Sequence, residues 1–120
     1  TKERLGVNAA CIGIGMERLV RKAQSVDCWG EGKPNILIVC PPPILPEMER
    51  SECGLPMGRG CLEKSRELPA FYRKAAELTG AHFLDAGGCE FNRLDGMHLT
   101  RRGHAQLARR LAEAVPGLLV

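Results

Sequence analysis

From Asn8 to about Ser25, the apolar residues Ile12, Met16, Leu19, Val20 and Ala23 recur at steps of three and four, with Glu17, Arg18, Arg21 and Lys22 set against them. That period matches one stripe of a helix, so the pattern predicts an amphipathic helix. Asn8 suits the N-cap because its side-chain oxygen can take a free amide of the first turn, while Gly13 and Gly15 weaken the turns that follow. Cys11 falls within the apolar pattern and is expected to be a buried free thiol. Gly30, Gly32 and Pro34 then punctuate a turn. Behind them Asn35-Ile36-Leu37-Ile38-Val39-Cys40 is apolar without alternation, which predicts a strand buried on both faces, central in a parallel sheet covered by helices, with Cys40 a second buried thiol.

Pro41-Pro42-Pro43 stops that strand, since proline cannot donate to a ladder. Residues 41 to about 60 also hold Pro46, Gly54, Pro56, Gly58 and Gly60 and read as one long loop, of the kind that lines sites. A second helical pattern runs from Cys61 to Thr79, with Leu68, Phe71, Tyr72, Ala75, Ala76 and Leu78 mostly on one stripe, Pro69 as a kink or restart, and Gly80 as the stop. Ala81 to Asp85 is a short second strand, ended by Ala86-Gly87-Gly88. The last helix begins at the N-cap Thr100, carries Leu107, Ala108, Leu111, Ala112 and Val115 at helical spacing, and is expected to end at Pro116-Gly117. Helix, strand, loop, helix, strand, loop, helix is an α/β order, with a very small sheet and no internal repeat.

Composition narrows the function classes. The 120 residues, 44% hydrophobic with a net charge of +3, suffice for one compact domain. The longest apolar run, Ile36 to Cys40, is far short of the roughly 18 to 20 residues of a membrane span. Thr1-Lys2-Glu3-Arg4 mixes both charges with no apolar core behind it and is not expected to be a leader. The six cysteines form neither a Cys-x-x-Cys pair nor a Cys/His cluster at zinc spacing, so reduced thiols and a cytoplasmic setting are expected, with no metal site. Seventeen basic residues spread along the chain against 14 acidic ones, with one aromatic-rich spot at Phe71-Tyr72, argue against a nucleic-acid partner.

The candidate chemistry lies between the second strand and the last helix, in Leu94-Asp95-Gly96-Met97-His98-Leu99-Thr100. A carboxylate against one imidazole nitrogen fixes the tautomer and stabilises the imidazolium, which leaves the other nitrogen to take a proton from a nucleophile. Gly96 permits the tight turn that would bring both side chains to one site. Four residues of this kind also occur as a turn aspartate beside a surface histidine.

The string Asp95-Gly96-Met97-His98-Leu99-Thr100, followed by Gly103-His104 and Leu107-Ala108, closely resembles the final block of the SGNH (GDSL-type) esterases and lipases. Ile36 to Pro43 looks like that family's fourth strand and the proline-rich loop after it. Glu63-Lys64-Ser65-Arg66-Glu67-Leu68 and Phe83-Leu84-Asp85-Ala86-Gly87 look like the next helix and the fifth strand of its arylesterase-like bacterial members. The resemblance implies a three-layer α/β/α, flavodoxin-like fold with a parallel sheet, and a serine ester hydrolase acting on acyl or acetyl esters without metal or organic cofactor. It implies that Asp95 orients the imidazole and that His98 is the general base. Pro43, Ile44 and Leu45, at the start of the long loop, are candidates for the wall of the substrate pocket.

The family's Gly-Asp-Ser nucleophile block and its glycine and asparagine oxyanion blocks have no counterpart here. Ser25, Ser51 and Ser65 lie outside any Gly-Asp-Ser context and read as solvated polar residues. Residues 1–120 are therefore expected to be the C-terminal portion of one SGNH-like domain. Its N-terminal part would be a separate chain or a missing piece, and it would be this chain's partner beside a small-molecule ester; self-association stays open. The alternative is a noncatalytic remnant or binding module that keeps the fold without the nucleophile. A flavodoxin-like signalling domain would want an acidic cluster after its first strand, where this chain has three prolines.

Overall fold

The computed structural model describes residues 1–119. A 3₁₀ turn at Glu3–Leu5 leads into α1, Ala9–Gln24, whose N-cap is Asn8: its Oδ1 accepts from the Cys11 amide at 2.8 Å. The buried residues of α1 are Ala9, Gly13 and Val20, which share one face. Gly13 belongs there because a Cβ would lie 2.7 Å from that of Phe71 on the facing helix. Cys11 is exposed, contrary to expectation. It stands two residues, about 200° of helix turn, from both Ala9 and Gly13, and so points away from the stripe.

β1, Leu37–Cys40, pairs in parallel with β2, His82–Asp85, in a register running from Leu37 opposite His82 to Cys40 opposite Asp85. Over one face of this sheet pack α1 and α3, Cys61–Thr79, with Val20, Ile38, Ala75 and Ala76 forming one core cluster and Ala9, Cys40 and Leu68 another. Burial along β1 alternates: Ile38 and Cys40 are buried, Leu37 and Val39 only half so. The expectation of two buried faces is thus met on one side. On the second face Val39 borders a cleft whose wall also includes Leu107 of α4, Arg101–Leu118, and Gly103 is the single buried residue of that helix.

Three further expectations are corrected. Residues 41 to 60 do not form an open loop but hold a 3₁₀ helix at Pro46–Arg50 and a short α2 at Gly54–Met57. Ile44, Met48 and Met57 pack there on Cys61 and Leu62. α3 runs through Pro69 without interruption and stops at Gly80, which adopts φ +70°. α4 likewise continues past Pro116 to Leu118, because the missing N–H falls in the exposed last turn, where the freed carbonyl is open to solvent. No helix among the described residues is long and apolar enough to cross a membrane.

Candidate active site

Beyond β2 the chain folds back on itself as a narrow hairpin. Phe91 bridges Leu99, the Asn92 amide donates to the His98 carbonyl at 2.8 Å, and the Thr100 amide donates to the Glu90 carbonyl at 3.0 Å. Thr100 also caps α4: its Oγ1 accepts from the Gly103 amide at 2.9 Å and donates to Glu90 Oε1 at 2.6 Å. Between the two arms, residues 93 to 97 form the tip. Gly96, at φ +68°, turns the tip so closely against residues 45 to 48 that a Cβ would lie 3.0 Å from the Leu45 carbonyl oxygen and the Met48 nitrogen. Its own carbonyl accepts from the Leu45 amide at 2.8 Å.

This tip brings Asp95 and His98 together. Asp95 Oδ1 accepts from the amides of Met97 at 2.9 Å and His98 at 3.1 Å, and Oδ2 lies 3.0 Å from His98 Nδ1. The Met97 amide chiefly, with His98 beside it, outweighs the opposing effect of partial burial and holds the Asp95 carboxyl down at about 2. An ionised carboxylate can only accept, so Nδ1 carries the proton and Nε2 of the neutral ring keeps its lone pair. The His98 ring is two-thirds exposed, and it borders a cleft of about 390 Å³ lined by Val39, Pro41, Pro42, Ala86, Phe91 and Met97, with His104 across it. Pro41 follows β1 and Ala86 follows β2. The cleft therefore lies at the carboxyl ends of parallel strands, where open α/β sheets place their sites.

No protein-family model and no curated protein sequence matches the chain. Solved structures do. A carbohydrate acetylesterase from Sinorhizobium meliloti superposes with a TM-score of 0.83 at 31% identity, over 98% of this chain and 56% of its own. The aryl esterase of M. smegmatis does so with a TM-score of 0.83 at 30% identity, over 98% of this chain and 55% of its own. What this chain matches is the C-terminal half of the SGNH-type esterases. It spans little more than half the length of these relatives, and its two parallel strands with their helices are part of the SGNH α/β fold.

None of the chain's three serines lines the His98 cleft. Ser25 Oγ donates to the Lys22 carbonyl, and Ser51 Oγ donates to that of Met48. Ser65 is buried rather than solvated: it accepts from the Ile44 amide at 2.9 Å and donates to the Leu62 carbonyl at 2.7 Å. The cysteines do not line the cleft either. Burial, with Asp85 adding to it, pushes the Cys40 thiol up to about 12, and burial also raises that of Cys61, so both stay protonated and poorly nucleophilic.

Pro43, Ile44 and Leu45 do not line the His98 cleft. They border a neighbouring cavity of about 230 Å³ with Arg66, Gly88 and Cys89, and Ile44 is itself buried in the core beneath. From this segment the cleft takes Pro41 and Pro42, which directly precede Pro43. Leu45 serves the site through its bond to Gly96. Asn92, whose side chain bonds across the tip, escaped the sequence reading, and Gly103, noted there only as part of the final block, owes its place to a Cβ that would fall 2.1 Å from the Glu90 carbonyl oxygen. An asparagine three residues before Asp95 is a turn signal that could have found the first.

Proposed function

We propose that this chain supplies the Asp–His part of the catalytic triad of an SGNH-type carboxylic-ester hydrolase. The serine and the oxyanion donors would come from the N-terminal part of the same domain, which lies outside residues 1–120. The Asp95–His98 pair carries this reading: an ionised carboxylate bonded to one ring nitrogen, with the other free beside a cleft at the strand ends. In the reaction His98 Nε2 takes the proton of the serine as its Oγ attacks the acyl carbonyl. It then returns that proton to the leaving alcohol, and water resolves the acyl-enzyme by the same route. Asp95 holds the ring and stabilises the imidazolium. The two relatives named as a carbohydrate acetylesterase and an aryl esterase support small acyl esters, acetyl above all, as the substrate class.

The test completes the fold. The N-terminal half of the S. meliloti enzyme, fused ahead of Thr1 or added as a second chain, should bring 4-nitrophenyl acetate hydrolysis and labelling by a fluorophosphonate probe. His98→Ala should lower turnover by several orders of magnitude, up to about 10⁶-fold, and His82→Ala, at the end of β2 away from the cleft, should leave most of it. Equal losses would count against the assignment. A completed, folded domain that neither labels nor turns over would favour the noncatalytic binding module. Full activity of the 120-residue chain by itself would force the nucleophile onto one of its own serines or cysteines.

A further inference from the structure

We propose that Asn92 is a positioning residue for the Asp95–His98 pair, acting through the backbone at both ends of the tip; the inference rests on the catalytic reading of that pair. Asn92 Oδ1 accepts from the amides of Leu94 and Asp95, each at 3.0 Å, and thereby sets where Asp95 leaves the first arm. Its Nδ2 donates to the His98 carbonyl at 3.1 Å, alongside its own backbone amide at 2.8 Å, and so sets where His98 enters the second arm. Its carbonyl accepts from the Gly96 amide at 3.0 Å between them. One side chain thus ties the residue that orients to the residue that is oriented.

Little else fixes the tip from that side. Arg93 and Leu94 are exposed, and the Arg93–Glu47 ion pair lies at the surface, where solvent screening leaves such pairs little hold. The Leu45–Gly96 bond and Met97, packed on the Ile44–Met48 cluster, add further anchors, and both hold the middle of the tip rather than its ends. The residue type is specific to the task. It needs an acceptor for two consecutive amides and a donor for a carbonyl on the opposite arm, and asparagine carries both on a side chain short enough to bend back on its own turn. Serine keeps an acceptor for the turn but cannot reach across. The Asp95–His98 hydrogen bond tolerates only a few tenths of an ångström before its geometry degrades.

The experiment is NMR on the chain completed by the N-terminal half of the S. meliloti enzyme, read at the His98 ring nitrogens and the Asp95 carboxyl carbon so that the readout is independent of catalysis. The ring nitrogens of His98 should show the Nδ1–H tautomer, and the Asp95 carboxyl carbon should titrate near 2. In Asn92→Ala the carboxyl midpoint should rise toward its ordinary 3.8 and the Nε2–H tautomer should appear, with far-UV circular dichroism unchanged. Asn92→Ser should fold even if the alanine variant does not, and should show the tautomer change. Wild-type tautomer and carboxyl midpoint in either folded variant would overturn the proposal. In the completed esterase, Asn92→Ala should lower kcat by about 10- to 100-fold with KM little changed. If the tautomer shifts while kcat does not, the positioning role stands and the catalytic reading of Asp95 and His98 fails.

Discussion

Gly96 and Gly103 hold the candidate site for different reasons. Gly96 needs its left-handed conformation as well as closeness to Leu45, whereas Gly103 sits in an ordinary helical turn and is required only because the Glu90 backbone lies against it. Gly103→Ala should therefore push the start of α4 away from the hairpin, destabilising the fold by about 1–3 kcal/mol and lowering the urea midpoint. Asp95 makes a different case, through pH. Its carboxyl is held at about 2 against an ordinary 3.8, so its contribution is fully present above 3.8 and is lost as pH falls through 2. The stability difference between wild type and Asp95→Asn, followed by denaturation, should be constant above about pH 5 and shrink between 4 and 2; a difference that is flat down to pH 2 would remove the hydrogen-bonded carboxylate from the account. At this scale the sequence was legible wherever partners are neighbours along the chain. Asn8, Thr100, Asp95 and His98 all find theirs within three residues, or as caps. Ser65 was misread because its partner Ile44 is 21 residues away.

Among the elements, the helices were the most legible, since a 3.6-residue period is written into each of them. α1 and α3 occupy the spans their patterns indicate, and the divergence is confined to proline: neither Pro69 nor Pro116 stops its helix. Proline and glycine also concealed the order in residues 41 to 60, where no period could form across so many breaks. That stretch is held by a small core and by one buried hydroxyl, the Ser65 Oγ that accepts from the Ile44 amide. Ser65→Ala would leave that amide without a partner in a place water does not reach, which destabilises by about 1–3 kcal/mol. The consequence should be local as well as global. Leu45 follows Ile44 directly and bonds Gly96, so hydrogen exchange at the Leu45 amide should quicken more than at the amides of β2. Uniform quickening across the chain would mean that the segment opens only with the whole fold.

For the molecule as a whole, the decisive feature is how much apolar surface is left uncovered. β1 pairs with β2 along one edge, and no strand among the described residues pairs with the other. Leu37 and Val39 are only half-buried, and Leu107, Leu111 and Val115 on α4 are half-buried at best. Leu19, 65% exposed, continues the same shortage on α1. An apolar strand with an open edge is a template for pairing with another chain, and a two-stranded sheet is marginal without further strands. The relatives are almost twice as long as this chain, which leaves room in their fold for what would cover these surfaces. The 120-residue chain studied by itself should therefore bind a hydrophobic dye such as ANS, unfold with low cooperativity and tend to associate. Supplying the N-terminal half of an SGNH relative should suppress dye binding, sharpen unfolding and slow exchange at the β1 amides on the edge away from β2. Protection at that edge is the discriminating measurement, because general compaction would slow exchange everywhere, whereas strand addition protects only the amides that gain a partner. A monomeric chain that unfolds cooperatively without the added half, with the β1 edge amides already protected, would show that the small sheet is sufficient and that nothing needs to pair with it.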